Sequence, residues 1–168
     1  TRQRVRMEDD VTIAQFLMIA TTGVRDGGAD KIDRFYKEFD NEYPDQERAS
    51  DVVNSTLSII LDKVAPVISD TKLGTLPQLL MIFAAIAHRT TQIPQGDVEG
   101  QMPPAGTGLG DDQVIADNLQ TLAAALEADE APERFSTFVT RSATSTQRIS
   151  SRQVRFRTFY EAMGNQAL

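Results

Sequence analysis

Apolar positions recur at three- and four-residue spacing along nearly the whole chain, and no stretch alternates as a half-buried strand does. A first helix is expected from Asp9 or Asp10, either of which can cap it, to about Thr21. It places Val11, Ala14, Leu17, Met18 and Thr21 on one face, and Ile13, Phe16 and Ala20 widen that face. Arg25-Asp26-Gly27-Gly28 reads as a turn. Asp30 then caps a second helix whose Ile32, Phe35, Tyr36 and Phe39 have i, i+3, i+4, i+7 spacing. Pro44 closes it, because proline has no N–H to continue the ladder. A third helix starts near Gln46 and carries Val53, Leu57, Ile60, Leu61 and Val64. Pro66 is expected to kink or end it.

After the loop Ser69 to Thr75, Pro77 falls in the first turn of a fourth helix, where proline is tolerated. The run Leu79 to Ala87 is apolar on every face, and a helix of that kind belongs at the centre of a bundle. Its leucines and alanines, with Pro77 before them, favour helix over a buried strand. Residues 93–110 break the pattern. They hold five of the ten glycines and three of the seven prolines, so a surface loop, mobile in character, is expected there. Asp111 and Asp112 cap a fifth helix bearing Ile115, Leu119, Leu122 and Leu126. Pro132 opens a short segment with Phe135, Phe138 and Val139, and Ser142 to Thr146 form a loop. Ser150 or Ser151 caps a last helix with Phe156, Phe159, Tyr160 and Met163, and Gly164 stops it. The expected fold class is all-α: a bundle of six to seven helices around one central, fully apolar helix, spanning 1–168 as a single helical domain.

Composition narrows the chemistry. The chain of 168 residues has no cysteine, which excludes disulfides, thiolate metal sites and a thiol nucleophile. It also fits a reducing, cytoplasmic setting. The single histidine, His88, excludes a multi-histidine metal site. It falls at the C-terminal end of the apolar helix, where a capping or boundary role outweighs a catalytic one. No G-x-G-x-x-G follows a strand and no Walker A sequence occurs. Gly106-x-Gly108-x-Gly110 could be taken for a phosphate cradle, but no lysine follows it and Asp111-Asp112 would repel phosphate. Asp26, Asp30 and Asp33 lack the order of an EF-hand and its distal glutamate. Glu127, Asp129, Glu130 and Glu133 lie at a helix end and read as solvated. No catalytic residue, cofactor site or metal site is therefore assigned. The longest apolar run is far too short to span a membrane, and Glu8, Asp9 and Asp10 follow the opening arginines too closely for a signal peptide. The chain opens at Thr1 and reads as a piece of a larger protein.

The net charge of −7 is unevenly spread. Nine acids fall between Asp26 and Asp51, whereas Arg134 to Tyr160 hold six arginines and no acid. Arg148, Arg152 and Arg155 have i, i+4, i+7 spacing and share a face if the last helix extends back to Arg148. Phe156, Phe159 and Met163 are expected on another face, in the core. The arginine stripe has three readings: contact with nucleic-acid phosphates, pairing with the acidic second helix, or contact with an acidic neighbouring domain.

Three passages carry a resemblance. They are Arg4-Val5-Arg6-Met7-Glu8-Asp9 before an apolar helix, the stretch from Ile32 to Pro44 (IDRFYKEFDNEYP), and the arginine-rich aromatic end Arg155-Phe156-Arg157-Thr158-Phe159-Tyr160. Together they resemble the helical region of Gmr-type, modification-dependent restriction proteins, which begin with a ParB/sulfiredoxin-like domain that hydrolyses nucleotide. The family's Asp-Gly-Gln-Gln-Arg and Arg-x-Asn-x-Gly-Gly motifs are missing here, as is its His- and Asn-bearing nuclease motif, so no catalytic role carries across. The resemblance implies a helical portion of an antiviral restriction protein, adjoining an NTPase domain, with DNA or a nuclease domain as further partners and Arg148, Arg152 and Arg155 as the nucleic-acid contacts. The alternative is a non-catalytic protein–protein interaction bundle with an acidic binding face, its residues including Glu38, Glu42 and Asp45.

Overall fold

The computed structural model describes the backbone of residues 2–168 and side chains from residue 9 onward. Among these residues every regular element is helical. The chain runs through α1 (Arg2–Thr22), α2 (Ala29–Phe39), α3 (Gln46–Ile59), α4 (Ala65–Ile68), α5 (Leu76–Thr90), α6 (Asp112–Glu127), α7 (Ser136–Ala143) and α8 (Ile149–Ala162). A wide turn, Ile60–Val64, joins α3 to α4 without a break, so the helical bodies number seven among the described residues. The all-α bundle is as the periodicity predicts.

Helix α5 occupies the centre. From Leu80 to His88 every side chain is buried, as a helix apolar on all faces requires. α8 lies along it, α1 and α3 pack on it as well, and α7 backs α8. α6 packs against α4, α7 and α8, while α2 sits outermost with α1 as its main support. The core joins Phe16, stacked at 4.7 Å on Phe83, to Phe156, Phe159 and Met163 of the last helix.

Local differences from the expected pattern have physical causes. α1 begins at Arg2 rather than at Asp9 or Asp10. Its buried line is Ala14, Phe16, Ile19 and Ala20, while Val11 and Ile13 are 40% and 43% exposed. The charged opening passage from Arg4 to Glu8 lies outside the described side chains. Asp30 falls inside the first turn of α2, one residue after Ala29, and Gly28 precedes the helix. Pro66 does not end the third helical body. Its ring would crowd the carbonyl four residues back. The turn before it widens, with the Ala65 amide donating to Ile60, and the helix continues through the proline. α8 starts after Arg148, three residues before Ser151.

The largest difference concerns residues 93–110. The segment has no regular structure, yet it is a strap tied down along its length. Ile93 and Val98 are buried. The Asp97 amide donates to Val24 at 2.9 Å, Gly106 to the His88 carbonyl at 3.1 Å, Gly108 to Arg89 at 2.9 Å and Gly110 to Met163 at 2.9 Å. Glycine is required where the strap crosses other chain segments. A Cβ on Gly110 would lie 2.2 Å from the Gly164 oxygen, and one on Gly23, whose φ is +80°, would lie 2.2 Å from the Pro94 oxygen.

Candidate functional site

The three arginines of the expected stripe do not share an exposed face. Arg148 precedes α8, is largely exposed, and reaches Asp26 at 3.9 Å. Arg152 is 6% exposed and Arg155 is fully buried. A helix turns about 100° per residue, so Arg152 and Arg155 stack four residues below Phe156 and Phe159 and enter the core with them. Their guanidinium groups donate to acceptors inside the protein. Arg152 donates from Nη1 to the Arg25 carbonyl at 3.1 Å and from Nη2 to Gln147 Oε1 at 2.7 Å. Arg155 donates to the carbonyls of Pro77 at 2.7 Å, Ser151 at 3.3 Å and Thr146. Burial pushes each guanidinium down to about 10; Asp26 partly offsets this for Arg152, and the neighbouring Arg152 charge adds to it for Arg155. Two of the three predicted phosphate contacts are thus internal clamps, because one helix face cannot serve both the core and a ligand.

His88 is buried as well, and it serves the strap. Its Nε2 donates to the Pro103 carbonyl at 2.7 Å and its Nδ1 accepts from the Ile93 amide at 3.4 Å. These bonds fit the neutral ring with its hydrogen on Nε2. Among the described residues no acid or hydroxyl hydrogen-bonds the ring, and its two bonds fasten the strap at Ile93 and Pro103. Among the described residues, no group of three or more His, Cys, Asp or Glu is placed to hold a metal ion. No described helix is long and apolar enough to cross a membrane.

The acidic region from α2 to the start of α3 lies on the outside. Asp33, Glu38, Asp40, Glu42, Glu47 and Asp51 are exposed and form no ion pair among the described residues. Asp30 pairs with Lys31 at 3.1 Å and Asp45 with Arg48 at 3.3 Å. The Lys31 hydrogen bond holds the Asp30 carboxyl below its ordinary range. The C-terminal arginines do not neutralise this surface, apart from the long Arg148–Asp26 contact. An aromatic ladder supports it from beneath: Phe35, Phe39 and Tyr43 stack at 4.8 to 5.9 Å, and the Tyr43 hydroxyl bonds Thr21 of α1. Tyr36 remains half exposed among the acids.

Open grooves indent the surface of the described residues. A groove of about 660 Å³ runs between α3 and the strap, past Asp45, Arg48, Asp51 and Gln92. A smaller one, about 220 Å³, lies between α1 and α2 at Arg25, Lys31 and Arg34. The third, about 720 Å³, lies at the C-terminal end between Arg89, Arg134, Phe135, Tyr160 and the tail. Sequence reasoning missed this last one, although the adjacent Arg134-Phe135 pair was a visible signal. No protein-family model matches the chain, nor does a curated protein or a solved structure.

Proposed function

We propose that the chain is a non-catalytic helical interaction module whose acidic α2–α3 surface binds a basic partner. The observation that carries this reading is the surplus of exposed carboxylates between Asp33 and Asp51, spread over α2, the loop after it and the start of α3, which outnumber the interleaved Arg34, Lys37 and Arg48, with Tyr36 half exposed among them. Unpaired surface carboxylates of one sign steer an oppositely charged partner and set its association rate. An aromatic side chain within such a patch supplies contact area at low entropic cost.

Direct phosphate contact by Arg148, Arg152 and Arg155 is disfavoured, since Arg152 and Arg155 have their donors committed to carbonyls and to Gln147. The wider setting, a restriction or anti-phage protein in which this module adjoins an NTPase domain, rests on the resemblance of the three sequence segments. In that setting the acidic surface is the side offered to the neighbouring domain.

Fluorescence anisotropy with a labelled arginine-rich peptide tests the reading. Saturable binding is expected, weakening as salt rises and lost in the triple variant Glu38→Gln, Glu42→Gln, Glu47→Gln. Binding that survives these substitutions would overturn it. So would tighter binding of duplex DNA than of the peptide, which would restore the nucleic-acid reading.

A further inference from the structure

The groove at the C-terminal end has a composition unlike the rest of the surface. Two guanidinium groups line it, and each sits over an aromatic ring. Arg89 sits 4.2 Å from the Tyr160 ring centre, and Arg134 sits 4.5 Å from that of Phe135. Arg89 is held further by Nε donating to the Tyr160 carbonyl at 2.9 Å and Nη1 donating to Thr107 and Gly108. Its Nη2 has no partner among the described residues. Arg134 is exposed and has no hydrogen bond or ion pair among the described residues, so its donors are free apart from the stacking.

The opposite wall is the tail from Gly164 to Leu168. Buried Asn118 fastens it: Nδ2 donates to the carbonyls of Ala162 at 3.0 Å and Gln166 at 2.9 Å, and Oδ1 accepts from the Leu168 amide at 3.0 Å. Asn165 Oδ1 accepts from the Asp111 amide at 2.8 Å, so its Nδ2 is left as a donor. Gln166 adds a second exposed amide. The groove therefore has preformed walls and a surplus of N–H donors. Glu161 is the one carboxylate side chain among its described lining residues.

Stacking fixes the plane of a guanidinium and leaves its edge of N–H groups free to meet two oxygens at once. About 720 Å³ falls within the range of small-molecule sites. We infer that this groove binds a small anion through the stacked guanidinium of Arg134, with Arg89 as the second contact, the ligand presenting a phosphate or carboxylate group. Glu161 limits the affinity for such a ligand.

Two-dimensional amide and arginine-side-chain NMR on the full chain tests this, with inorganic pyrophosphate in one titration and citrate in the other. The expected result is saturable shifts at Phe135, Asn165, Gln166 and the Arg134 side chain. Arg134→Ala is expected to weaken binding at least tenfold, and Glu161→Gln to tighten it several-fold. Arg141→Ala, an arginine outside the groove, is expected to leave it unchanged. Whichever anion saturates at the lower concentration identifies the oxyanion class. Non-saturating shifts with both anions, or equal affinity in Arg134→Ala and the parent chain, would overturn the inference. Arg134 is exposed and meets the fold only over the Phe135 ring, so the variant keeps its fold, and unchanged dispersion of core methyl signals verifies that.

Discussion

Arg155 donates from Nη1 to the Pro77 carbonyl at 2.7 Å, joining the middle of α8 to the first turn of α5 across 78 positions of sequence. Pro77 itself has no N–H and opens its helix cleanly, while its carbonyl receives a cation from the other side of the core. The same guanidinium reaches the loop before α8 through Thr146. One side chain thus holds three segments. Arg155→Ala should leave those part-buried carbonyls without this donor beside a cavity, at a cost of about 2–5 kcal/mol. Arg155→Met keeps most of the volume and should cost less. Urea unfolding followed by circular dichroism measures both.

The burial of these cations predicts a pH signature. In the unfolded chain an arginine keeps its ordinary value, whereas Arg152 and Arg155 in the fold are lowered to about 10 by burial. Below that pH both states hold both protons, and the pair contributes no slope. Above it the folded chain releases protons first, so the unfolded chain binds more and the contribution to stability rises with pH. The stability difference between the parent chain and Arg155→Met should be flat from about pH 6 to 9. It should move in favour of the parent chain above about pH 10.

Gly110 and Gly164 meet backbone to backbone where the strap passes the end of α8. Gly110→Ala would push a methyl to 2.2 Å from a carbonyl oxygen that cannot rotate away. A destabilisation of about 1–3 kcal/mol is expected from overpacking at this crossing. The thermal midpoint by differential scanning fluorimetry should fall accordingly.

His88 carries the strap at Ile93 and Pro103 together. His88→Ala should cost about 2 kcal/mol or more through the lost hydrogen bonds and the cavity. It should also speed exchange at the Gly106 and Gly108 amides, which donate to the end of α5. Hydrogen exchange read residue by residue separates this local loosening from global unfolding.

Glu38 of α2 and Glu42 of the loop after it should behave in the opposite way. Glu38 and Glu42 are exposed and make no ion pair among the described residues. Neutralising them should change unfolding free energy by no more than about 0.5 kcal/mol. A larger loss of stability would mean that these side chains serve the fold rather than a partner.

The bundle was legible in the sequence because burial in helices leaves a period, which α6 and the aromatic end of α8 kept, and because α5 is apolar on every face, as a central helix must be. Three features were not legible. The spacing of Arg152 and Arg155 shows that they share a face, but period alone does not say whether that face is wet. Counting forward four residues, to Phe156 and Phe159, shows that it is the core face, and that local signal was present but conflicts with the ordinary exposure of arginine. Pro66 looked like a helix end because propensity takes no account of a widened turn. The strap looked loose because glycine and proline mark both loops that move and chain segments that cross closely. Only the positions of Val24, His88 and Met163 in space distinguish these cases. The acidic surface was readable from composition. The anion groove was not, because it joins Arg89 to a tail far along the chain.

The strap offers its amides to α5 and α8 from Gly106, Gly108 and Gly110, every second residue. Gly106 and Gly108 reach this spacing at φ +65° and +74°, a region that glycine enters without strain. The three amides are therefore aimed by backbone conformation, and each bond depends both on a glycine and on its place in the count. Inserting a residue between Gly106 and Gly110 should pull at least one amide off the carbonyls of His88, Arg89 and Met163, whatever side chain the insertion carries.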